Sequence, residues 1–219
     1  MALLVVYNRT GAIIQQMELA MSIISRRGIL RSSAFAGIAA ASSACASNVW
    51  AQADLVPTPE CKDNDPPTLP ETEGPFYRAR TPERFDLVET SRRGQLVELT
   101  GYVLTRGCRP VERALVDLWH ADDGGAYDNR GFRYRGHVFT DEQGRYRFRT
   151  IQPGLYPGRT RHYHVKVQAP GQRLLTTQLY FPGEAANARD DLFHRELLMR
   201  VAAPGPGMAA RFDFVIDMR

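Results

Sequence analysis

Beyond residue 94 the chain is divided into short runs of alternating apolar and polar residues, and this pattern restricts the fold more than any other feature. Turn sequences rich in Asp, Gly and Pro separate the runs, for example DDGG at 122–125 and APG at 169–171. A period of two is typical of half-buried strands, which such turns commonly connect. The predicted strands are residues 95–105, 114–119, 145–150, 162–168, 174–181 and 211–216. Only residues 185–198 favour a helical turn or two. The spacing predicts an all-β fold, with a single β-sandwich domain over residues 94–219.

The first 53 residues have the parts of an export signal in their usual order. Arg26 and Arg27 lie in the sequence SRRGILR, an Ala- and Ser-rich apolar run follows at 34–46, and Ala51-Gln52-Ala53 supplies small residues at a cleavage site. The apolar run is too short to cross a membrane as a stable helix. We predict a twin-arginine signal peptide over residues 1–53, cleavage after Ala53 and a periplasmic or extracellular protein. The alternative is an ordinary amphipathic N-terminal helix.

Most of the excess positive charge lies in this leader. Residues 1–53 contain four Arg and one Glu, a net charge of +3, whereas the whole chain has a net charge of +4. The rest of the chain is therefore close to +1. A nucleic-acid-binding face needs a basic stripe on the folded part of a protein, so we expect no nucleic-acid partner. Met21 offers a second possible start within the leader.

Residues 54–93 are predicted to form an extended arm ahead of the sandwich. Five prolines lie between residues 54 and 70 and disfavour regular structure there. Two cysteines remain after removal of the leader, Cys61 in the arm and Cys108 in the sandwich, whereas Cys45 leaves with the leader. In an oxidising compartment Cys61 and Cys108 could pair and tether the arm. Two separate buried thiols are the alternative, and the sequence favours neither.

Two histidines on one predicted strand are the first candidates for chemistry. His162 and His164 are separated by one residue, so their side chains share a face of the strand while Val165 and Val167 pack on the opposite face. A lone histidine is more often a surface or hydrogen-bonded core residue. Two at this spacing can bind one metal ion together.

The other ligands are open at this point. A carboxylate would complete the two-His-one-carboxylate arrangement of iron(II) oxygenases, but the candidates Asp122, Asp123 and Asp141 all lie in turn sequences. Tyrosine is the alternative, because a phenolate is a hard anionic donor suited to trivalent iron. Tyr127 and Tyr156 both lie beside loop residues that can direct a side chain at a site. Ordinary packing is the simpler interpretation of each tyrosine alone.

Residues 101–182 resemble the intradiol ring-cleavage dioxygenases, the family that contains protocatechuate 3,4-dioxygenase and catechol 1,2-dioxygenase. The segment TEGPFY at 72–77 is similar to a segment that precedes the sandwich in that family. The matching stretches follow the family's order: ALVDLWHAD at 114–122, GAY at 125–127, RGH at 135–137, TDEQGRY at 140–146, YPGRTRHYH at 156–164 and TTQLYF at 176–181.

The resemblance implies four ligands for one Fe(III) ion per chain, two phenolates and two imidazoles: Tyr127, Tyr156, His162 and His164. It makes Arg159 the pocket arginine that stabilises negative charge on the substrate, and Gln178 a pocket amide. Residues implied to line the substrate mouth are Gly74, Pro75 and Tyr77. The segment between Tyr156 and His162 is shorter than in the better-known members.

The reaction implied is cleavage of a catechol between its two hydroxyl-bearing carbons by O2, giving a cis,cis-muconate-type diacid. Tyr156 would leave the metal when the substrate binds and accept a proton from it, so that the tyrosine serves as a base. The expected partners are a small aromatic diol and O2. The chain is expected to have no membrane span, and it could form a homo- or hetero-oligomer.

Two other functions remain to be weighed. Transthyretin-like sandwiches, which are non-catalytic binding modules, share the strand and turn pattern but do not require Tyr127, Arg159, His162 and His164 together. An iron(II) oxygenase that cleaves beside the diol would need a carboxylate ligand and would be colourless.

Overall fold

The computed structural model describes residues 61–62, 64–90, 93–203 and 206–218. The leader, its cleavage site and the first residues of the arm lie outside this part, so the predictions for them and for the domain boundaries stay predictions. Within the described residues, no helix has the length and apolar character that crossing a membrane requires.

The described residues form strands and short 3-10 helices, and the fold is all-β. The elements are β1 (Leu96–Thr105), β2 (Leu115–Trp119), β3 (Arg135–Phe139), β4 (Arg145–Ile151), β5 (His162–Gln168), β6 (Leu175–Tyr180), 3-10 helices at Ala185–Arg189 and Arg195–Leu197, β7 (Arg200–Ala202), β8 (Met208–Arg211) and β9 (Phe214–Ile216). The helical turns predicted within residues 185–198 are confirmed as these two 3-10 helices.

Two sheets make up the sandwich. The first has the order β4-β1-β8-β7, with β9 continuing alongside β1, and the second has the order β3-β2-β5-β6. Within the second sheet all pairs are antiparallel, whereas β8 and β9 run parallel to β1. Five of the six predicted strands correspond to β1, β2, β4, β5 and β6.

The prediction of one strand over residues 211–216 is wrong. Strand β8 ends at Arg211 and β9 begins at Phe214, because the carboxylate of Asp213 accepts the Tyr102 N–H at 2.9 Å where a backbone carbonyl would otherwise do so. Strands β3 and β7 were not predicted, and of β8 only its last residue, Arg211, was included in a predicted strand. The β3 sequence RGHVF lacks clear alternation, and its pairing with β2 determines its conformation.

The core lies between the sheets and explains the alternation. Every second residue of β1 is buried, in the pattern that a strand with one face on a core requires. Val97 and Leu99 of β1 belong to the same apolar cluster as Val165 and Val167 of β5. Val165 and Val167 therefore lie on the core face, as predicted, and His162 and His164, which precede them in β5, point to the opposite face.

The outer face of β5 is also buried, which a strand at a solvent-exposed sheet surface would not show. Six of its seven residues are buried. Residues 72–86, called the covering segment below, cross the outer face of the β3-β2-β5-β6 sheet. The segment pairs with this sheet through an isolated bridge between Glu83 and His137.

The arm that leads into the covering segment is fastened along its length. Cys61 and Cys108 form a disulfide, with Cα atoms 5.7 Å apart, which decides between the two alternatives that the sequence left open. Further along, the Thr68 N–H donates to the Val215 carbonyl at 2.8 Å, and the Thr177 hydroxyl donates to the Leu69 carbonyl at 2.7 Å. The arm thus reaches the sheet in a fixed register.

Candidate metal centre

Strand β5 places His162 and His164 side by side on the buried outer face of its sheet. Their Nε2 atoms are 3.1 Å apart. The Nδ1 atom of His162 lies 2.7 Å from the Thr160 carbonyl oxygen and donates its hydrogen there, which leaves a lone pair on Nε2. Such a backbone contact is the usual way in which a metal-binding imidazole is oriented.

Tyr127 completes a triangle of polar atoms with the two histidines. Its hydroxyl oxygen lies 3.3 Å from His162 Nε2 and 3.1 Å from His164 Nε2. Among the described residues the Nδ1 atom of His164 is buried and without a hydrogen-bond partner. All polar contacts of the His164 ring are therefore made by Nε2, toward the centre of this triangle.

The loop that carries Tyr127 packs closely, backbone against backbone, on the loop that carries Tyr156. Gly125 has φ +85°, and a Cβ atom there would lie 2.1 Å from the Leu155 carbonyl oxygen. Glycine alone tolerates both conditions. The Gly154 N–H also donates to the Asp122 carbonyl at 2.7 Å. This backbone contact fixes the distance between the two tyrosine-bearing loops.

Tyr156 lies next to the triangle but not in it. Its ring centroid is 5.9 Å from that of Tyr127, with the planes at 72°, and its side chain is half-buried. Within the described part of the chain, no hydrogen bond joins the Tyr156 hydroxyl to Tyr127, His162 or His164. The structure therefore brings three of the four predicted ligands into contact and holds the fourth beside them.

The three polar atoms fit a metal ion. Ligand atoms bound at about 2.0–2.1 Å and at right angles lie about 3 Å apart, close to the separations of 3.1–3.3 Å between the three atoms. Burial lowers the pKa of His162 to about 4 and that of His164 well below its ordinary value, so both rings are neutral and can donate lone pairs.

The donor set favours a highly charged ion. Burial raises the pKa of the Tyr127 hydroxyl above its ordinary value, so only a strongly positive neighbour would remove its proton. Asp122 and Asp141 stabilise their turns, as expected: each carboxylate accepts the backbone N–H groups of the residues two and four positions later. Across the described ranges, no group of three or more His, Cys, Asp and Glu side chains is suited to hold a metal ion. Trivalent iron with phenolate ligands fits the arrangement better than a two-His-one-carboxylate site.

The covering segment forms the outer wall of this site. Gly74 has φ +70°, and a Cβ atom there would lie 3.3 Å from His164 Cε1, so the backbone passes directly over the imidazole. The Phe76 ring stacks on Tyr127 with centroids 4.4 Å apart and meets the edge of Tyr156 at 5.5 Å. Pro75, between them, is exposed.

Tyr77 lies against the sheet rather than over the polar triangle. Its ring centroid is 4.8 Å from that of Trp119, which in turn stacks on His164 at 4.9 Å. Its hydroxyl donates to Asp117 at 3.2 Å, and the Thr81 hydroxyl donates to the other carboxylate oxygen at 2.9 Å. Asp117 is 3% exposed, so this buried carboxylate anchors two points of the covering segment.

Arg159 and Gln178 form a hydrogen-bonded pair at the β6 side of the site. An Nη2 hydrogen of Arg159 is donated to the Gln178 side-chain oxygen at 2.7 Å, and the Gln178 amide nitrogen donates to the Thr72 carbonyl at 3.0 Å. Gln178 is fully buried and stands directly across from His164 in the β5–β6 pairing. The amide thus links Arg159 to the start of the covering segment.

Several residues of the site were not predicted. Asp190 binds the Arg159 Nε from a loop 31 residues away, and no local pattern reveals such a contact. Asp117 and Trp119 lie within a stretch that the resemblance covers, and their register opposite Lys166 and His164 places them on the site face. Phe76 lies between the predicted residues Pro75 and Tyr77, so its position in the sequence could have identified it as a residue of the site.

Comparisons with known proteins agree with this geometry. A protein-family model described as dioxygenase matches residues 72–218. The chain is 37% identical over 119 residues to the protocatechuate 3,4-dioxygenase beta chain of Burkholderia cepacia, which covers 46% of this chain and 50% of that protein. It is 30% identical over 141 residues to catechol 1,2-dioxygenase of Acinetobacter baylyi, covering 51% and 45% of the two chains. The match thus spans about half the length of these curated relatives.

Solved structures extend the comparison. The dioxygenase domain of a dioxygenase and carbohydrate-binding protein fusion from Streptomyces sp. SirexAA-E aligns with a TM-score of 0.69 at 52% identity, over 70% of this chain and 100% of that one. Catechol 1,2-dioxygenase from Pseudomonas arvilla C-1 aligns with a TM-score of 0.62 at 28% identity, over 69% and 62% of the two chains.

Proposed function

The chain belongs to the intradiol ring-cleavage dioxygenase family, and from this we propose that it opens a catechol-type ring between the two hydroxyl-bearing carbons with O2. The observation that carries the proposal is the contact of Tyr127, His162 and His164 at 3.1–3.3 Å beside Tyr156. A transthyretin-like binding module needs no such cluster. An oxygenase that cleaves beside the diol would need a carboxylate ligand.

We assign the metal as one Fe(III) ion per chain. The family uses non-haem iron, and the four side chains that would hold the ion are Tyr127, Tyr156, His162 and His164. When bound, Fe(III) would chelate both oxygens of the diol and increase the electron density of the ring for attack by O2. Two phenolates would offset two of its three positive charges, which favours the trivalent state.

Tyr156 is the residue proposed to move a proton. Its side chain is half-buried, and among the described residues no hydrogen bond joins its hydroxyl to Tyr127 or to either histidine, so it can turn away as a diol enters. Its Oη atom can accept one substrate proton while doing so, which supplies a base at the point where one is needed.

Arg159 is proposed to stabilise the negative charge that develops on the substrate. Its guanidinium is held by Gln178 and Asp190. Gly74 and Phe76, which cover His164 and Tyr127, would exclude water from the site, and this strengthens the charge interaction. Gln178, Gly74, Pro75 and Tyr77 would shape the substrate pocket. The overall reaction adds both atoms of O2 to the diol and yields a cis,cis-muconate-type diacid.

Product identification with isotopically labelled O2 tests the proposal. The iron-loaded protein is incubated with catechol, protocatechuate and hydroxyquinol, and O2 uptake is measured together with the products. We expect a diacid that contains both labelled atoms for at least one diol. A yellow semialdehyde would mean cleavage beside the diol. No uptake with any diol, from protein that holds one iron per chain, would refute the enzymatic proposal.

The role of Arg159 has its own test. Loss of one preorganised donor to a developing charge typically slows the reaction about 100- to 1,000-fold. We therefore expect Arg159→Ala to lower kcat about 100-fold or more while one iron per chain stays bound. Unchanged turnover in that variant would remove Arg159 from the mechanism.

Export by the twin-arginine route and assembly with identical or different chains are also part of the proposal. The motivation for export is the ordered leader sequence, and the disulfide between Cys61 and Cys108 is compatible with an oxidising compartment.

A further inference from the structure

Asp190 holds the pocket arginine from a loop that no family motif of the sequence analysis includes. Its carboxylate accepts the Arg159 Nε hydrogen at 2.9–3.0 Å. The same carboxylate accepts the Thr160 N–H at 2.8 Å and the Leu192 N–H at 3.0 Å. The residue is only 7% exposed. A buried carboxylate with three donors is held in one orientation, and it transmits that orientation to the guanidinium.

The loop that carries Asp190 is itself fixed. Asn187, in the preceding 3-10 helix, donates to the Phe181 carbonyl at 2.9 Å and accepts the Thr160 hydroxyl at 2.6 Å. The carboxylate therefore does not depend on Arg159 for its position. Arg159 has a long side chain on the loop that precedes β5, so the orientation of its guanidinium depends on the groups that hold it.

The contacts of Arg159 leave one edge of its guanidinium for a ligand. Asp190 takes the Nε hydrogen, and Gln178 takes an Nη2 hydrogen at 2.7 Å. Within the part of the chain that the structure describes, Nη1 donates to no protein atom. The guanidinium is thus braced on two sides, and its third nitrogen is the donor that can serve a substrate.

We propose that Asp190 is a positioning residue for ring cleavage, which acts through Arg159 by holding the guanidinium so that Nη1 meets the charge developing on the diol. The inference rests on the proposed function and deepens it. A flexible arginine would still be positively charged and near the site, but it would have to be ordered during each turnover. Misplacement by about 1 Å can cost on the order of 100-fold in rate.

A purely structural role for Asp190 has a different signature. The carboxylate also caps the Thr160 and Leu192 amides, so its removal could loosen the loop without any specific effect on Arg159. If that were its only role, the loss of activity would be the same whether or not Arg159 is present. A double-mutant cycle separates the two roles, because only a residue that acts through Arg159 loses its effect when Arg159 is absent.

The cycle uses iron-loaded full-length protein with Asp190→Asn, Arg159→Ala and both changes together. We expect Asp190→Asn to lower kcat by roughly 10- to 100-fold with one iron per chain retained. In the Arg159→Ala background the same change should lower kcat by less than about 2-fold. Equal losses in the two backgrounds would overturn the proposal. Wild-type protein that cleaves no diol would instead refute the proposed function, so the two failures are distinguishable.

Asp141→Asn is the matched control for this cycle. Asp141 also accepts two backbone N–H groups and an arginine Nε, that of Arg145 at 2.8 Å, but it does so in an exposed turn. We expect its kcat to stay within about 2-fold of the wild-type value. A loss equal to that of Asp190→Asn would mean that any Asp-to-Asn change of this kind impairs the enzyme, and would overturn the assignment.

A second measurement does not depend on activity. Nitrogen-15 spectra of arginine side chains in the metal-free protein report how fast each Nε hydrogen exchanges with water. We expect a protected Arg159 signal, identified by its absence in Arg159→Ala, that becomes fast-exchanging in Asp190→Asn and stays protected in Asp141→Asn. An Arg159 signal that is unprotected in the wild-type protein, or unchanged in Asp190→Asn, would contradict the positioning contact.

Discussion

Removal of the disulfide between Cys61 and Cys108 should destabilise the protein without dismantling its site. The bridge closes a loop with a sequence separation of 47 residues. In the chain-entropy relation, closing a loop of this length lowers the conformational entropy of the unfolded chain by about 13.6 cal/mol/K. This raises the free energy of unfolding by about 4 kcal/mol at 25 °C. For a domain of this size the corresponding fall in Tm is about 8–16 °C.

The folded state should change much less than the unfolded state. The arm keeps its other bonds to the sandwich, among them Asn64 N–H to the Arg106 carbonyl at 2.8 Å and Thr68 N–H to the Val215 carbonyl at 2.8 Å. The covering segment begins eleven residues after Cys61 and is anchored separately at Asp117. We therefore expect iron binding and kcat at 25 °C to stay within about 2-fold of the wild-type values while the protein remains folded.

The assay is guanidinium and thermal unfolding of the full chain with Cys45→Ser, so that only the pair remains. This protein is compared with the variant that also carries Cys61→Ser and Cys108→Ser. Added reductant should lower the unfolding midpoint of the first protein to that of the second and leave the second unchanged. A shift below about 1 kcal/mol would refute the loop-closure reasoning. Loss of iron or kcat from the still-folded variant would show that the bridge acts on the native site instead.

Three further predictions concern colour, loop packing and export. Iron-loaded protein should be red to burgundy through phenolate-to-iron charge transfer. Its visible spectrum should change in Tyr127→Phe and in Tyr156→Phe, and iron should be lost in His162→Ala or His164→Ala. A colourless protein at full metal occupancy would exclude this ligand set. Gly125→Ala should lower the free energy of unfolding by more than about 2 kcal/mol, because the added Cβ atom would lie 2.1 Å from the Leu155 carbonyl oxygen and the backbone has φ +85°. Gly171→Ala is the control, since Gly171 has φ +71° but no atom within 4 Å of an added Cβ, and it should lower that free energy by only about 1–2 kcal/mol. Replacement of Arg26 and Arg27 by Lys should retain the precursor in the cytoplasm on cell fractionation, and unchanged export would rule out the twin-arginine route.

The sequence predicted those parts of the fold in which one face of a strand meets the core. Strand β1 alternates without exception between buried and half-buried residues, so its periodicity was visible without a structure. The same reasoning placed His162 and His164 on one face of β5, since the intervening Tyr163 and the following Val165 are core residues. Where the local pattern and the packing agree, periodicity is sufficient.

The sequence could not predict elements that long-range pairing determines. The break between β8 and β9 depends on a hydrogen bond from Tyr102 to Asp213, which are 111 residues apart. Asp190 could not be connected to Arg159 because it lies beyond β6, in a segment whose only local signal was a helical turn. The cover over β5 was likewise hidden, since alternation suggests an exposed face and only the docked segment shows that this face is buried.

The covering segment and the side chains proposed to bind the metal depend on each other for their burial. Without the segment, His162 and His164 would face water from the surface of a sheet, where imidazoles keep ordinary pKa values. With it, Asp117 is also buried, and burial raises the pKa of that carboxyl group above its ordinary value although Thr81 and Tyr77 donate to it. A carboxylate buried without both donors would cost several kcal/mol. Partial docking is therefore less favourable than either full docking or full release. It follows that Tyr77 and Thr81, which touch none of the polar triangle, help to determine whether the site is formed at all.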